Sequence, residues 1–122
     1  MLFAHGQDGM DEISICAPTK IFEVKDGAIK EFTIAPEDFG LKTASLESIR
    51  GGEPQENADA LRKLLQGEKS SYRDAVLLNA GAGIYSSGKA SSISQGIQLA
   101  ADSIDSGSAL TILDKLTSAT NA

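Results

Sequence analysis

The sequence has one cysteine, Cys16, and one histidine, His5, in 122 residues. A single cysteine excludes an internal disulfide. Its place in an alternating apolar stretch suits a small core residue better than a nucleophile. His5 has no visible partner of the Ser-His-Asp kind, and its position beside Gly6 suits a structural role. Basic residues are also scarce. Eleven Lys and Arg against seventeen Asp and Glu leave a formal charge of −6. Nucleic acid and anionic membranes both need basic patches, so neither is expected as a partner. No apolar run approaches the roughly 20 residues of a membrane span. Met1-Leu2-Phe3-Ala4 is too short, and lacks the basic flank, to be a signal peptide. A cytoplasmic location is the expectation. A glycine-rich phosphate loop is missing too: Gly81-x-Gly83 lies in a hydrophobic run, and Gly51-Gly52 has no flanking strand. No internal repeat or low-complexity tract is visible. The length allows one domain at most, and an apolar content of 41% supplies a core.

What is present is concentrated near the start, in His5-Gly6-Gln7-Asp8-Gly9-Met10-Asp11-Glu12. The short apolar Leu2-Phe3-Ala4 reads as the end of a strand. Gly6 and Gly9 then permit a tight turn, since glycine tolerates positive φ. Asp8 is placed to cap or brace that turn. Asp11 and Glu12 leave it side by side. Two adjacent hard oxygen ligands on a tight turn make a partial site for Mg²⁺, which favours oxygens and often bridges to substrate phosphates. The commoner role of such a pair is solvated surface, and chemistry by itself leaves both readings open.

Glu12 to Ala17 alternates with period two, which predicts a strand. Lys20–Lys25 and Ala28–Ile34 are β-rich runs joined by Asp26-Gly27, a two-residue hairpin signal. That loop places Val24 opposite Ile29 and Glu23 opposite Lys30, with Ile21 and Phe32 on the second pair's face. The hairpin is expected to be covered on both faces away from its tip. Pro36 to Gly40 reads as a turn anchored by Phe39, and Leu41 to Arg50 as connection. Pro54 opens a first helix with Ala58, Leu61 and Leu65 inward and Gly67 as terminator. Ser71-x-x-Asp74 resembles a capping box for a second helix from about Tyr72 to Ser86, apolar almost all round and therefore internal. Asn79 is the one polar side chain in its apolar run, either satisfied by backbone or serving a site. Ser92-x-x-Gln95 caps a third helix, whose stripe runs on through Gly107 to Leu116. Gly107 marks a close packing point or a small irregularity.

His-Gly-x-Asp-Gly-Met-Asp-Glu-Ile-Ser, then Ala-Pro-Thr-Lys and a hairpin, resembles the C-terminal part of the anthranilate phosphoribosyltransferases. Ile34 to Leu41, Gly51-Gly52, Glu56-Asn57-Ala58, Leu65-x-Gly67-Glu68, Arg73 to Ala80 and Ser106-Gly107-x-Ala109 extend the resemblance in order over nearly the whole chain. It implies an α+β fragment over residues 1–122: a short strand and an antiparallel hairpin packed with three helices. This would be the C-terminal portion of the α/β phosphoribosyl-binding domain of the nucleoside phosphorylase/phosphoribosyltransferase fold. The implied function is part of a transferase joining anthranilate to phosphoribosyl pyrophosphate in tryptophan biosynthesis. The resemblance carries a Mg²⁺ role onto Asp11 and Glu12, with Glu12 suited to bridging two ions and Asp11 to holding one. It carries no catalytic or cofactor-binding residue. The family's Gly-Thr-Gly-Gly-Asp loop, its Lys-His-Gly-Asn-Arg segment, its anthranilate-binding residues and its dimer-forming N-terminal helical domain have no counterpart here. The chain alone is therefore expected to be inactive, and to associate with a second copy or with a complementing N-terminal chain. The competing expectation is a truncated, inactive remnant that folds and self-associates without chemistry.

Overall fold

The computed structural model describes residues 1–122. The sheet is organised by the Asp26-Gly27 turn. Both residues take positive φ, 51° and 77°, the backbone twist that joins two strands through a two-residue loop. The flanking strands are β2 (Thr19–Lys25) and β3 (Ala28–Ile34), and their register sets Val24 against Ile29 and Glu23 against Lys30, as the sequence predicts. The first strand, β1 (Leu2–Gly6), pairs antiparallel with the other side of β2, giving the order β1-β2-β3. The outer edge of β1 has no strand neighbour.

Period two makes one face of this sheet apolar and inward, with Ile21 and Thr19 fully enclosed and Ile34 buried. The opposite face is open. Phe3 is 53% and Ile29 73% exposed, and Phe22 lies between them on the same side. The expected cover on both faces is therefore corrected to cover on one, because the helices that reach the sheet pack on the Ile21 side.

Those helices are α1 (Pro54–Leu65), α2 (Ser71–Ser86), α3 (Ile93–Asp105) and α4 (Ser108–Thr120). The helix α2 runs through the middle. Leu78 and Ala82 join Ile13, Ile15, Ile21, Ile34 and Ile93 in one core. Leu77, on the next helical position, joins Leu64, Ala100 and Ile104 in a second. A helix apolar nearly all round thus finds partners on two sides. It crosses α3 at a pair of glycines: a Cβ on Gly81 would stand 2.6 Å from the backbone nitrogen of Ile97, and one on Gly96 would run into the Gly81 carbonyl.

Three local expectations change. The third helix is two, because Gly107 takes φ 78° and breaks the run between α3 and α4. The apolar stripe continues across the break, but α4 buries no residue and Ile112 is 63% exposed. The cap of α2 is Ser70, whose hydroxyl accepts from the Arg73 N–H, one residue before the predicted Ser71. The inward face of α1 centres on buried Leu64, with Leu61 and Leu65 beside it and Ala58 exposed. Phe39 packs partly buried on the first core as predicted, and the segment from Leu41 to Ile49 also contributes to it through Leu41, Ala44 and Ile49. No helix is long and apolar enough to cross a membrane.

Candidate metal-binding loop

The loop of residues 7–18 joins β1 to β2 and carries Asp11 and Glu12. Its neck is closed by the antiparallel pairing of Gly6 with Thr19 and by the Gln7 N–H donating to the Pro18 carbonyl at 2.9 Å. Its tip is a tight turn, in which the Gly6 N–H donates to the Met10 carbonyl at 2.8 Å and the Gly9 N–H to the Gly6 carbonyl at 2.9 Å. Gly9 uses its conformational freedom, at φ 93°. Gly6 does not. It is glycine for lack of room, since a Cβ there would stand 3.2 Å from the Cβ atoms of Met10 and Ser14.

Two buried side chains hold the loop from inside. Ser14, 1% exposed, donates its hydroxyl to the Asp8 carboxylate at 2.6 Å and accepts from the N–H groups of Cys16 and Ala17. The Ser14 N–H in turn donates to the Thr19 hydroxyl at 2.9 Å. Asp8 therefore braces the turn, as its position in the sequence suggests. The Ser14 hydrogen bond holds the Asp8 carboxyl below the usual aspartate range, and the Met10 N–H adds to this against the opposing effect of burial. A depressed native value means the folded loop binds fewer protons than the unfolded chain. The stabilisation is then complete above the ordinary aspartate value of about 3.9 and fades as pH falls through the native one. Following the Asp8 carboxyl carbon by NMR should give a midpoint below that of a model aspartate. Ser14→Ala should return it to the ordinary range, and an unchanged midpoint in that variant would contradict the assignment. Burial pushes the Cys16 thiol up, with Asp8 adding to the effect, so Cys16 remains a thiol rather than a nucleophilic thiolate.

The alternation of Glu12 to Ala17 does not form a strand. Ile13 and Ile15 are buried, as an alternating segment would have them, but Ser14 between them is buried as well. The backbone hydrogen bonds go to side chains and to a distant loop: Ile13 to Asn79, Ser14 to Thr19, and the Ile15 carbonyl to the Ala44 N–H at 2.9 Å. Asn79, on α2, clasps Ile13 from both ends. Its Oδ1 accepts from the Ile13 N–H and its Nδ2 donates to the Ile13 carbonyl, each at 2.9 Å. Of the two roles open to Asn79 in the sequence, backbone satisfaction is the one observed, and the backbone is that of this loop.

Asp11 and Glu12 are exposed, and neither carboxylate takes part in a hydrogen bond or ion pair within the chain. No group of three or more His, Cys, Asp or Glu converges anywhere. The chain thus offers two adjacent, unengaged carboxylates on a braced backbone. That donor set fits a hydrated Mg²⁺, which takes one or two carboxylates and fills its octahedron with water and phosphate oxygens. It does not make a zinc site, which takes three or four converging protein ligands, most of them Cys or His. His5 is exposed on β1, away from any such cluster. Ser14 and Thr19 had no signal in the sequence. Asn79 had one, its isolation in an apolar helix.

Residues 1–110 match the family described as "Glycosyl transferase family, a/b domain". Among curated relatives, an anthranilate phosphoribosyltransferase from Parvibaculum lavamentivorans is 50% identical over 96% of this chain and 34% of its own length. One from Desulfitobacterium hafniense is 48% identical over 93% of this chain and 34% of its own. Among solved structures, the anthranilate phosphoribosyltransferase of Thermus thermophilus superposes with a TM-score of 0.88 at 40% identity, covering 99% of this chain and 36% of that one. The Saccharomyces cerevisiae enzyme in complex with PRPP and Mg superposes at 0.82 with 28% identity, covering 93% and 33%. The chain spans about a third of the length of the relatives it matches. With the match running through both cores and the loop of Asp11 and Glu12, this chain belongs to the glycosyl transferase family in its α/β domain.

Proposed function

We propose that this chain supplies the metal-holding part of an anthranilate phosphoribosyltransferase, with Asp11 and Glu12 as the Mg²⁺ ligands. The single observation that carries the reading is the loop itself: two adjacent carboxylates left free on a backbone that buried side chains hold in place. The yeast relative solved with PRPP and Mg and another solved with 4-fluoroanthranilate support the substrate class. Bound magnesium supplies charge neutralisation for a pyrophosphate leaving group. The chain's own part is narrower. Asp11 and Glu12 offer the oxygens, Gly9 turns the backbone that presents them, and Asp8, Ser14 and Thr19 keep that turn closed.

The remaining pyrophosphate contacts and the anthranilate site belong, in this proposal, to sequence of the kind found in the other two-thirds of the relatives. Such a complementing chain, or a second copy, would cover the free edge of β1 and the open face that Phe3, Phe22 and Ile29 share. The surface of α2 is not needed for this, because both of its apolar sides are already packed within the chain.

The test is a graft. This chain replaces the matching segment of the Thermus thermophilus relative, and anthranilate fluorescence is followed with phosphoribosyl pyrophosphate and Mg²⁺. The chain by itself should show no turnover, and the graft should consume anthranilate. A folded graft no more active than the relative lacking that segment would overturn the proposal.

A further inference from the structure

We infer that Asn79 is a positioning residue for the carboxylates of Asp11 and Glu12, acting through the peptide that joins Glu12 to Ile13. This rests on the metal reading of those two residues, but its evidence is separate. The Asn79 side chain makes three hydrogen bonds. Two go to the N–H and carbonyl of Ile13 at 2.9 Å, and the third fastens Nδ2 to the Ala75 carbonyl of its own helix at 3.0 Å. The third bond fixes the amide in its orientation, so its oxygen and nitrogen are not interchangeable. The pair on Ile13 imitates one rung of a β-ladder, in a segment with no strand beside it.

The amide nitrogen held by Asn79 Oδ1 is the one bonded to the Glu12 carbonyl carbon. Fixing that peptide plane fixes the backbone from which the Glu12 side chain departs. Ile13, 4% exposed, locks the same residue by burial. On the other side, Ser14 is tied to Thr19 and Asp8. Glu12 is therefore followed at once by two residues whose backbone cannot turn. A partner bonded directly to a metal ligand typically contributes 10–100-fold in metal affinity, and Asn79 acts one peptide removed from Glu12, so the lower end, about tenfold, is expected here.

The experiment uses this chain with Mn²⁺ as a paramagnetic probe. Free Mn²⁺ is measured by electron paramagnetic resonance for the unaltered chain, for Asp11→Asn with Glu12→Gln, and for Asn79→Ala. Amide exchange at Ile13, and at Ile21 and Leu78 in the core, is measured alongside. The expected result for Asn79→Ala is protection retained at Ile21 and Leu78, exchange at Ile13 faster by at least about tenfold, and Mn²⁺ affinity lower by about tenfold. Unchanged affinity in that variant overturns the positioning role while leaving the metal reading standing. Equal binding by the unaltered chain and the doubly substituted one overturns the metal reading and the inference with it. A measurement on the unaltered chain covers the case in which Asn79→Ala does not fold. Titration with Mg²⁺ should shift the Asn79 side-chain amide resonances with the same midpoint as the Glu12 backbone amide, since both would report the one binding event through the peptide they share. Resonances of Asn79 that ignore the titration refute the coupling.

Discussion

Gly96→Ala should lower the stability of this chain by about 1–2 kcal/mol, with a fall in Tm of roughly 5 °C. At the crossing of α2 and α3, a Cβ on Gly96 would lie 2.9 Å from the Gly81 carbonyl carbon and 3.2 Å from its Cα, with the carbonyl oxygen nearer still. These are backbone atoms inside a helix and cannot swing aside, so the helices must separate. Separation loosens the contact of Leu77 with Ala100 and Ile104. Overpacking of this kind costs about 1–3 kcal/mol and sometimes more. Alanine's better helix propensity returns up to about 1 kcal/mol, so the packing term wins. Gly83→Ala is the internal control. It lies two positions beyond Gly81 on the same helix, has nothing within 4 Å of a new Cβ, and does not take positive φ. Only the propensity term acts there, and the substitution should stabilise by about 0.5–1 kcal/mol. Urea melts of the two variants should therefore move in opposite directions. Equal shifts would mean that the helix crossing is looser than these distances require.

The second large effect is expected in the active graft. Glu12→Gln keeps the size of the side chain and removes its charge. If Glu12 holds the cation that faces the leaving pyrophosphate, kcat/KM for phosphoribosyl pyrophosphate should drop by about 100-fold or more, the scale seen when one preorganised charge-stabilising contact is lost. Part of the loss should return at high Mg²⁺, because the remaining carboxylate of Asp11 still offers a weaker site. Stability should barely change, since the Glu12 carboxylate is exposed and bonded to nothing in the chain. A loss smaller than about threefold would remove Glu12 from the chemistry.

The parts of the fold that the sequence made legible are those whose determinants are local. Asp26-Gly27 supplies two adjacent positive-φ residues, and from that turn the whole β2–β3 register follows. Ser92 caps α3 by accepting from the Gln95 N–H, and Gly67 takes positive φ just beyond the end of α1. The illegible parts depend on distant partners. Residues 12–17 carry a strand pattern, yet a strand needs a neighbour, and the groups that take its place come from Asn79, Thr19 and Ala44. The stripe from Ile97 to Leu116 keeps helical spacing on each side of Gly107, and the step of five from Ile104 to Ala109 is the only trace in the sequence of the break that the backbone angle of Gly107 makes. In the candidate site the same division holds. The adjacency of Asp11 and Glu12 is visible in the sequence, while nothing in the spacing of Ser14 or Asn79 shows that they meet the loop.

The clasp between Asn79 and Ile13 joins residues 66 positions apart. Closing a flexible loop of that length costs on the order of 4 kcal/mol in chain entropy from its logarithmic term, more than the roughly 1–3 kcal/mol that two hydrogen bonds return. The contact can therefore exist only after the two cores have brought α2 against the sheet. The shape of the Asp11–Glu12 loop is thus a report on the folded state of the whole domain, and a peptide containing only residues 1–25 would not reproduce it. By linkage, a cation that prefers the clasped loop draws the folding equilibrium of the entire chain toward the native side.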